Sequence, residues 1–246
     1  MNTNRQTAVI KENKMKITTS NLIRWAGLSA MASGILFVVM QAIHPPDVLS
    51  SVTTGAWAIV HYLGIAMSLF GLLGIAGIYA RQVEEAGWLG LAGYLLFSLF
   101  YALTLAFQFT EAFISPLLAT EAPKFVEGFL GIASGQASEV NLGALPAVYT
   151  LLTGFVGYML GGLLFGIATL RAGILPRWAA GLLAIAGPLS ALMVSLLPHE
   201  LERMAAVPMG LALAWLGYAL WSERREKASE PVPGRGSPQL RQTAAD

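Results

Sequence analysis

Histidine and carboxylate side chains can bind ions, hold metals and move protons, and this chain has few of them in apolar surroundings. Its three histidines are His44, His61 and His199, and Glu111 is its one carboxylate well inside an apolar run. Gln41 stands three residues before His44, and Gln108 three residues before Glu111. Side chains at i and i+3 share a helix face, so each pair aims an amide and an ionisable group the same way. Ionisable groups near lipid are costly, and by default they point to function. The expected binding set is Glu111, His61, Gln108, Gln41 and His44, open to a small solute or ion.

Simpler roles compete with this one. His44 and His199 adjoin prolines, where helices end and polar groups meet water. His61 needs only a neighbouring carbonyl, and Glu111 only a structural partner. The two glutamines would serve as interhelical hydrogen bonds worth about 1 kcal/mol each. His44, His61, His199 and Glu111 are also of the types that ligate zinc or copper. Their spacing matches no metal motif, so they are weak candidates, and no cofactor is identified.

Other chemistries are excluded. The chain has no cysteine, which removes disulfides, thiolate metal sites, a cysteine nucleophile and lipidation through sulfur. No Walker A loop, GxGxxG turn, HExxH helix or GxSxG elbow is present. A net charge of +1 recruits no nucleic acid.

The elements that position these groups follow from composition. Of 246 residues, 55% are hydrophobic and 12% charged, against about 25% charged in soluble domains. A bilayer core about 30 Å thick needs about 20 apolar residues at 1.5 Å each. Six stretches qualify, at 22–43, 57–80, 88–114, 145–170, 178–197 and 204–222. None alternates in polarity as a β-barrel strand would, and lipid offers the backbone no partners. The fold class is therefore an all-α integral membrane protein with six transmembrane helices. The first stretch is too long for a signal peptide's apolar region and has no small-residue cleavage site.

Basic residues set the orientation. Thirteen of the fifteen lie in the tails and even-numbered gaps, and only Lys124 and Arg203 lie opposite. The positive-inside rule places both termini in the cytoplasm of a cell that carries the chain in its plasma membrane. Trp25, Trp88, Trp178 and Trp221 then mark the inner interface and Trp57 the outer one. All the candidate site residues fall near the outer face. The inner half holds little beyond serine, threonine and tyrosine.

Residues 1–20 and 226–246 read as disordered cytoplasmic tails around a transmembrane domain of 21–225. The segment 115–144 is the one long outer loop. Within it Thr120–Pro123 opens a short helix, with Phe125, Phe129 and Leu130 on a face suited to lie on the membrane. Asp47 and Glu139 are loop carboxylates with no evident partner.

An internal echo suggests three helical hairpins in parallel repeat. Arg24-Trp25-Ala26-Gly27-Leu28, Trp88-Leu89-Gly90-Leu91 and Arg177-Trp178-Ala179-Ala180-Gly181-Leu182 open the odd helices. Gly74-Ile75-Ala76, Gly166-Ile167-Ala168 and Gly217-Tyr218-Ala219 close the even ones. Such repeats are related by an axis along the membrane normal, although Gly, Ala and Leu recur in any membrane helix. Gly157, Gly161, Gly162 and Gly166 form two GxxxG pairs that serve intrachain packing or an oligomer face. Gly71, Gly74 and Gly77, and Gly87, Gly90 and Gly93, read the same way. Pro188 and Pro208 are expected to kink the fifth and sixth helices.

Three function classes remain: a transporter or binder of a small solute or ion through an outer polar cup, a non-catalytic subunit or sensor, and an intramembrane enzyme using Glu111 and His61. The lack of polar groups in the inner half argues against a simple through-channel. A cavity reaching both faces favours transport. A solid inner half favours the other two.

Overall fold

A computed structural model describes residues 18–229, without the side chains of 199, 200 and 223–229. The expected tails otherwise lie outside the described residues. Six helices are long and apolar enough to span a membrane: Thr19–Ile43, Gly55–Arg81, Val83–Glu121, Leu145–Ala172, Arg177–Val194 and Leu201–Ser222. No strand occurs among the described residues. The chain is an all-α membrane protein with six spanning helices.

Local chemistry sets their ends. Thr18 caps the first helix, its hydroxyl accepting from the Asn21 amide at 3.2 Å, and Thr54 caps the second through the Trp57 amide at 3.2 Å. Such caps satisfy amides that the first helical turn leaves unpaired. Gly87 has φ +55° and breaks the third helix from the short turn before it. It therefore acts as a hinge residue where close packing was expected. Gly173, at φ +66°, closes the fourth helix in the left-handed form. Pro188 lies inside the fifth helix. Pro208 is the second residue of the helix Val207–Ser229. The expected kink there is corrected, since a first-turn proline removes no needed N–H.

The helices pack in a closed ring in chain order, the sixth returning to the first. Three tandem hairpins would take this order, but so would any up-and-down ring. The repeat rests on the sequence echoes alone. Glycines set the close approaches. A Cβ on Gly157 would sit 2.8 Å from the Phe100 backbone, and one on Gly161 2.6 Å from the Phe97 amide. Gly166 abuts the Ala184 backbone, so these GxxxG glycines serve packing within the chain. Trp25, Trp88 and Trp178 are 68%, 86% and 82% exposed, as residues at a membrane interface are.

The end of the bundle where the first spanning helix begins and the last one ends, the terminal end, is filled. Ile75, Ile78, Phe165, Leu183, Leu216 and Leu220 are all buried there. At the far end the third helix runs beyond the expected residue 114 to Glu121, through a π-helical turn at Thr110–Ile114. A further helix, Pro123–Gly131, follows. Its Val126 and Leu130 pack with Trp57 and Val52, and Phe129 packs with Phe107, Ile132 and Leu142. Its apolar face is thus spent on the bundle itself and not on the membrane surface. This helix caps the far end, and Gly135 at φ +69° stands in the turn that follows it.

Candidate functional site

Beneath that cap lies a cavity of about 250 Å³. Gln41, His44, Gln108 and Glu111 line it, so both i, i+3 pairs do face inward together. His61 does not line it, but stands immediately behind Glu111. Its Nε2 lies 3.2 Å from Glu111 Oε2, and its ring is fully buried. Its Nδ1 lies 2.7 Å from the Trp57 carbonyl one turn earlier. A carbonyl only accepts, so Nδ1 carries a hydrogen. Nε2 makes no well-directed hydrogen bond, yet it faces a carboxylate oxygen.

Trp57 organises the wall behind the cavity. It is fully buried, because the cap covers it. Its indole N–H donates to the Glu111 carbonyl at 2.8 Å. A π turn displaces backbone from the ordinary i−4 pattern, and such turns recur at functional sites. Here the indole meets one of the carbonyls in that turn. The Trp57 ring lies 4.2 Å from His61 and 5.7 Å from His44, and the two imidazoles are 5.2 Å apart. A second π-helical stretch, Val148–Gly161, carries Tyr149, Thr153 and Tyr158 into the wall. Phe37, Phe100, Phe107 and Phe129 complete an aromatic lining.

Asp47 and Arg203 join at the wall, their side chains 27% and 37% exposed. This corrects the reading of Asp47 as a carboxylate with no partner. The signal was in the sequence: Arg203 is one of only two basic residues on the side the positive charges avoid. Glu139 also has a partner, Lys124 at 3.0 Å, but both are exposed, and such a pair contributes little. The His199 side chain lies outside the described residues. Among those described, no group of three His, Cys, Asp or Glu side chains is arranged to hold a metal.

Burial, and next the Arg203 charge, lower the His44 pKa from 6.5 to about 4. Burial raises that of Asp47 against the pull of Arg203. His44 is therefore neutral near pH 7, its Nδ1 2.7 Å from the Pro45 carbonyl. The consequence for stability has a definite sign. Above pH 6.5 His44 is neutral folded and unfolded. As pH falls from 6.5 toward 4 the unfolded chain takes up a proton that the folded one refuses. Stability should fall by up to about 3 kcal/mol over that window. Asp47 acts in the opposite sense. Melting temperatures at pH 7 and 5 should therefore drop less for His44→Asn than for wild type. Equal drops would show that His44 does not carry the dependence.

Comparison with known protein families, with curated proteins and with solved structures finds no match to this chain.

Proposed function

We propose that this protein binds a small solute entering from the outer side of the plasma membrane, with both termini cytoplasmic. The observation that carries this reading is the capped cavity, with Glu111, Gln41, Gln108 and His44 in its lining. Structural pairing alone would call for these groups to be packed solid, as buried polar groups are when they only satisfy one another. The filled terminal half supports a binding or sensing protein over an open channel, since Ile75, Leu183 and Leu216 stand across the route. A transporter would need that half to open. The 13-to-2 division of basic residues supports the orientation.

The absence of cysteine makes the test direct. Three single-cysteine variants, at Ala137 beyond the cap, Thr104 in the cavity wall and Ala172 at the terminal end, are placed in intact cells. A membrane-impermeant thiol reagent should modify Ala137→Cys quickly, Thr104→Cys more slowly, and Ala172→Cys only after lysis. Modification of Ala172→Cys in intact cells would reverse the orientation. Failure to modify Thr104→Cys even after lysis would remove the solute-accessible cavity.

A further inference from the structure

A carboxylate, Glu111, lines the cavity, and much of the remaining lining is aromatic. We propose that the cavity takes a small organic ammonium ion. This rests on the solute-binding reading above and names the class of solute.

Several donors of the wall are committed to the protein. Arg203 is paired with Asp47. Thr153 donates to the Val148 carbonyl at 2.9 Å, and Gln41 spends an amide N–H on the Phe37 carbonyl at 3.1 Å. Tyr158 and Ser190 lie 2.9 Å apart. Ser190 has one hydroxyl hydrogen and two carbonyls in reach, Ala186 at 2.7 Å and Ala205 at 2.6 Å. Its hydrogen goes to one of them, so Tyr158 donates to Ser190 and leaves its ring to the cavity.

Gln108 Oε1 is buried against Gly64 of the second helix, so the acceptor to consider on the cavity wall is Glu111. The Glu111 carboxylate has only His61 beside it, on one oxygen. A carboxylate on the wall attracts the positive face of an alkylammonium. The charges agree. Arg203 is paired with Asp47, which leaves Glu111 as the other carboxylate on the wall.

The aromatic side chains favour the same class. Phe37, Phe100 and Tyr158 form one trio, with centroids 5.2 to 6.4 Å apart. Phe107 forms another with Tyr149 at 5.0 Å and Phe129 at 5.9 Å. Ring faces carry negative charge density and attract alkylammonium groups, most strongly where water is excluded. An anion would meet those rings and Glu111 unfavourably, and Arg203 is already taken. Size is consistent: an apolar cavity of about 150 Å³ accepts benzene, so the larger volume here admits a tetramethylammonium- or choline-sized ion.

The test uses the full chain in lipid nanodiscs. Thr104→Cys is treated with trimethylammonium-ethyl and sulfonato-ethyl methanethiosulfonates, each rate being divided by that at Ala137→Cys, an exposed position. The cationic reagent should be favoured at least tenfold. Glu111→Gln should bring the ratio near one while Thr104→Cys stays reactive. As a second measurement, tetramethylammonium or choline chloride should raise the wild-type melting temperature more than sodium chloride does. The uncharged choline analogue 3,3-dimethylbutan-1-ol should not raise it. Equal normalised rates, preference for the anionic reagent, or equal stabilisation by the neutral analogue would overturn the ammonium assignment and leave a solute-binding cavity of another class. No reaction with either reagent would overturn the cavity reading itself.

Discussion

Trp57→Ala is expected to lower the melting temperature by on the order of 10 °C, from a loss of about 3–5 kcal/mol. Trp57 is fully buried and joins three parts of the far end. Its ring packs with Val52, Val126 and Leu130, which holds the cap down. Its face lies against His61, and its N–H reaches the Glu111 carbonyl in the π turn. Alanine removes the indole's apolar contacts, leaves a void and strips one donor from that carbonyl. Trp57→Phe separates these terms. It keeps an aromatic ring but loses the N–H and part of the indole's area, so about 1–3 kcal/mol should go. The cap should loosen in the alanine variant, so a cysteine at Thr104 should react faster there. A Trp57→Ala protein melting within a degree or two of wild type would mean that the cap is held by something else.

The second large effect lies where the first and last spanning helices meet. Gly34 and Gly210 face each other, and so do Gly27 and Gly217. A Cβ on Gly210 would sit 2.7 Å from the Gly34 carbonyl, one on Gly27 2.9 Å from the Gly217 carbonyl, and one on Gly217 2.6 Å from the Gly27 carbonyl. Each pair is reciprocal, and the atoms in the way are backbone, which cannot rotate aside. These contacts close the ring between its first and last helices. Gly34→Ala should cost about 1–3 kcal/mol, and Gly34→Leu more. The same change at Gly181 meets nothing within 4 Å, and there alanine should stabilise by up to about 1 kcal/mol, through helix propensity. Opposite signs from one substitution, read as melting temperatures in detergent, would identify the seam. Equal shifts would show that helix propensity, and not helix contact, decides.

The six spans were legible in the sequence because spanning is a matter of length and composition, both local. The depth of each polar group followed, since residue number along a straight helix converts to distance. For this reason Gln41, His44, Gln108 and Glu111 could be placed at one end of the bundle, and the approach of His61 to Glu111 could be expected from two adjoining helices. The inward direction of the two i, i+3 pairs came from helix geometry and the cost of ionisable groups in lipid.

What only the tertiary structure decided has one common cause. Lipid tails are as apolar as a protein core, so a spanning helix is hydrophobic all round and its pattern does not show which face packs. Phe37, Phe100 and Tyr158 thus read no differently from Leu73 or Leu117, although the former line the cavity and the latter are exposed. The Gly34–Gly210 contact escaped for the same reason. Trp57 has the local signal of an interfacial indole, which does not reveal its burial. A helix much later in the chain, Pro123–Gly131, covers it. Asp47 and Arg203 are 156 positions apart, and their meeting depends on the ring closing between the first and last helices. The π turn that sets Glu111 against Trp57 is a property of the packed third helix and has no sequence signature of its own. Segment identity and depth are thus properties of the chain, while facing, closure and the capped cavity belong to the packed ring.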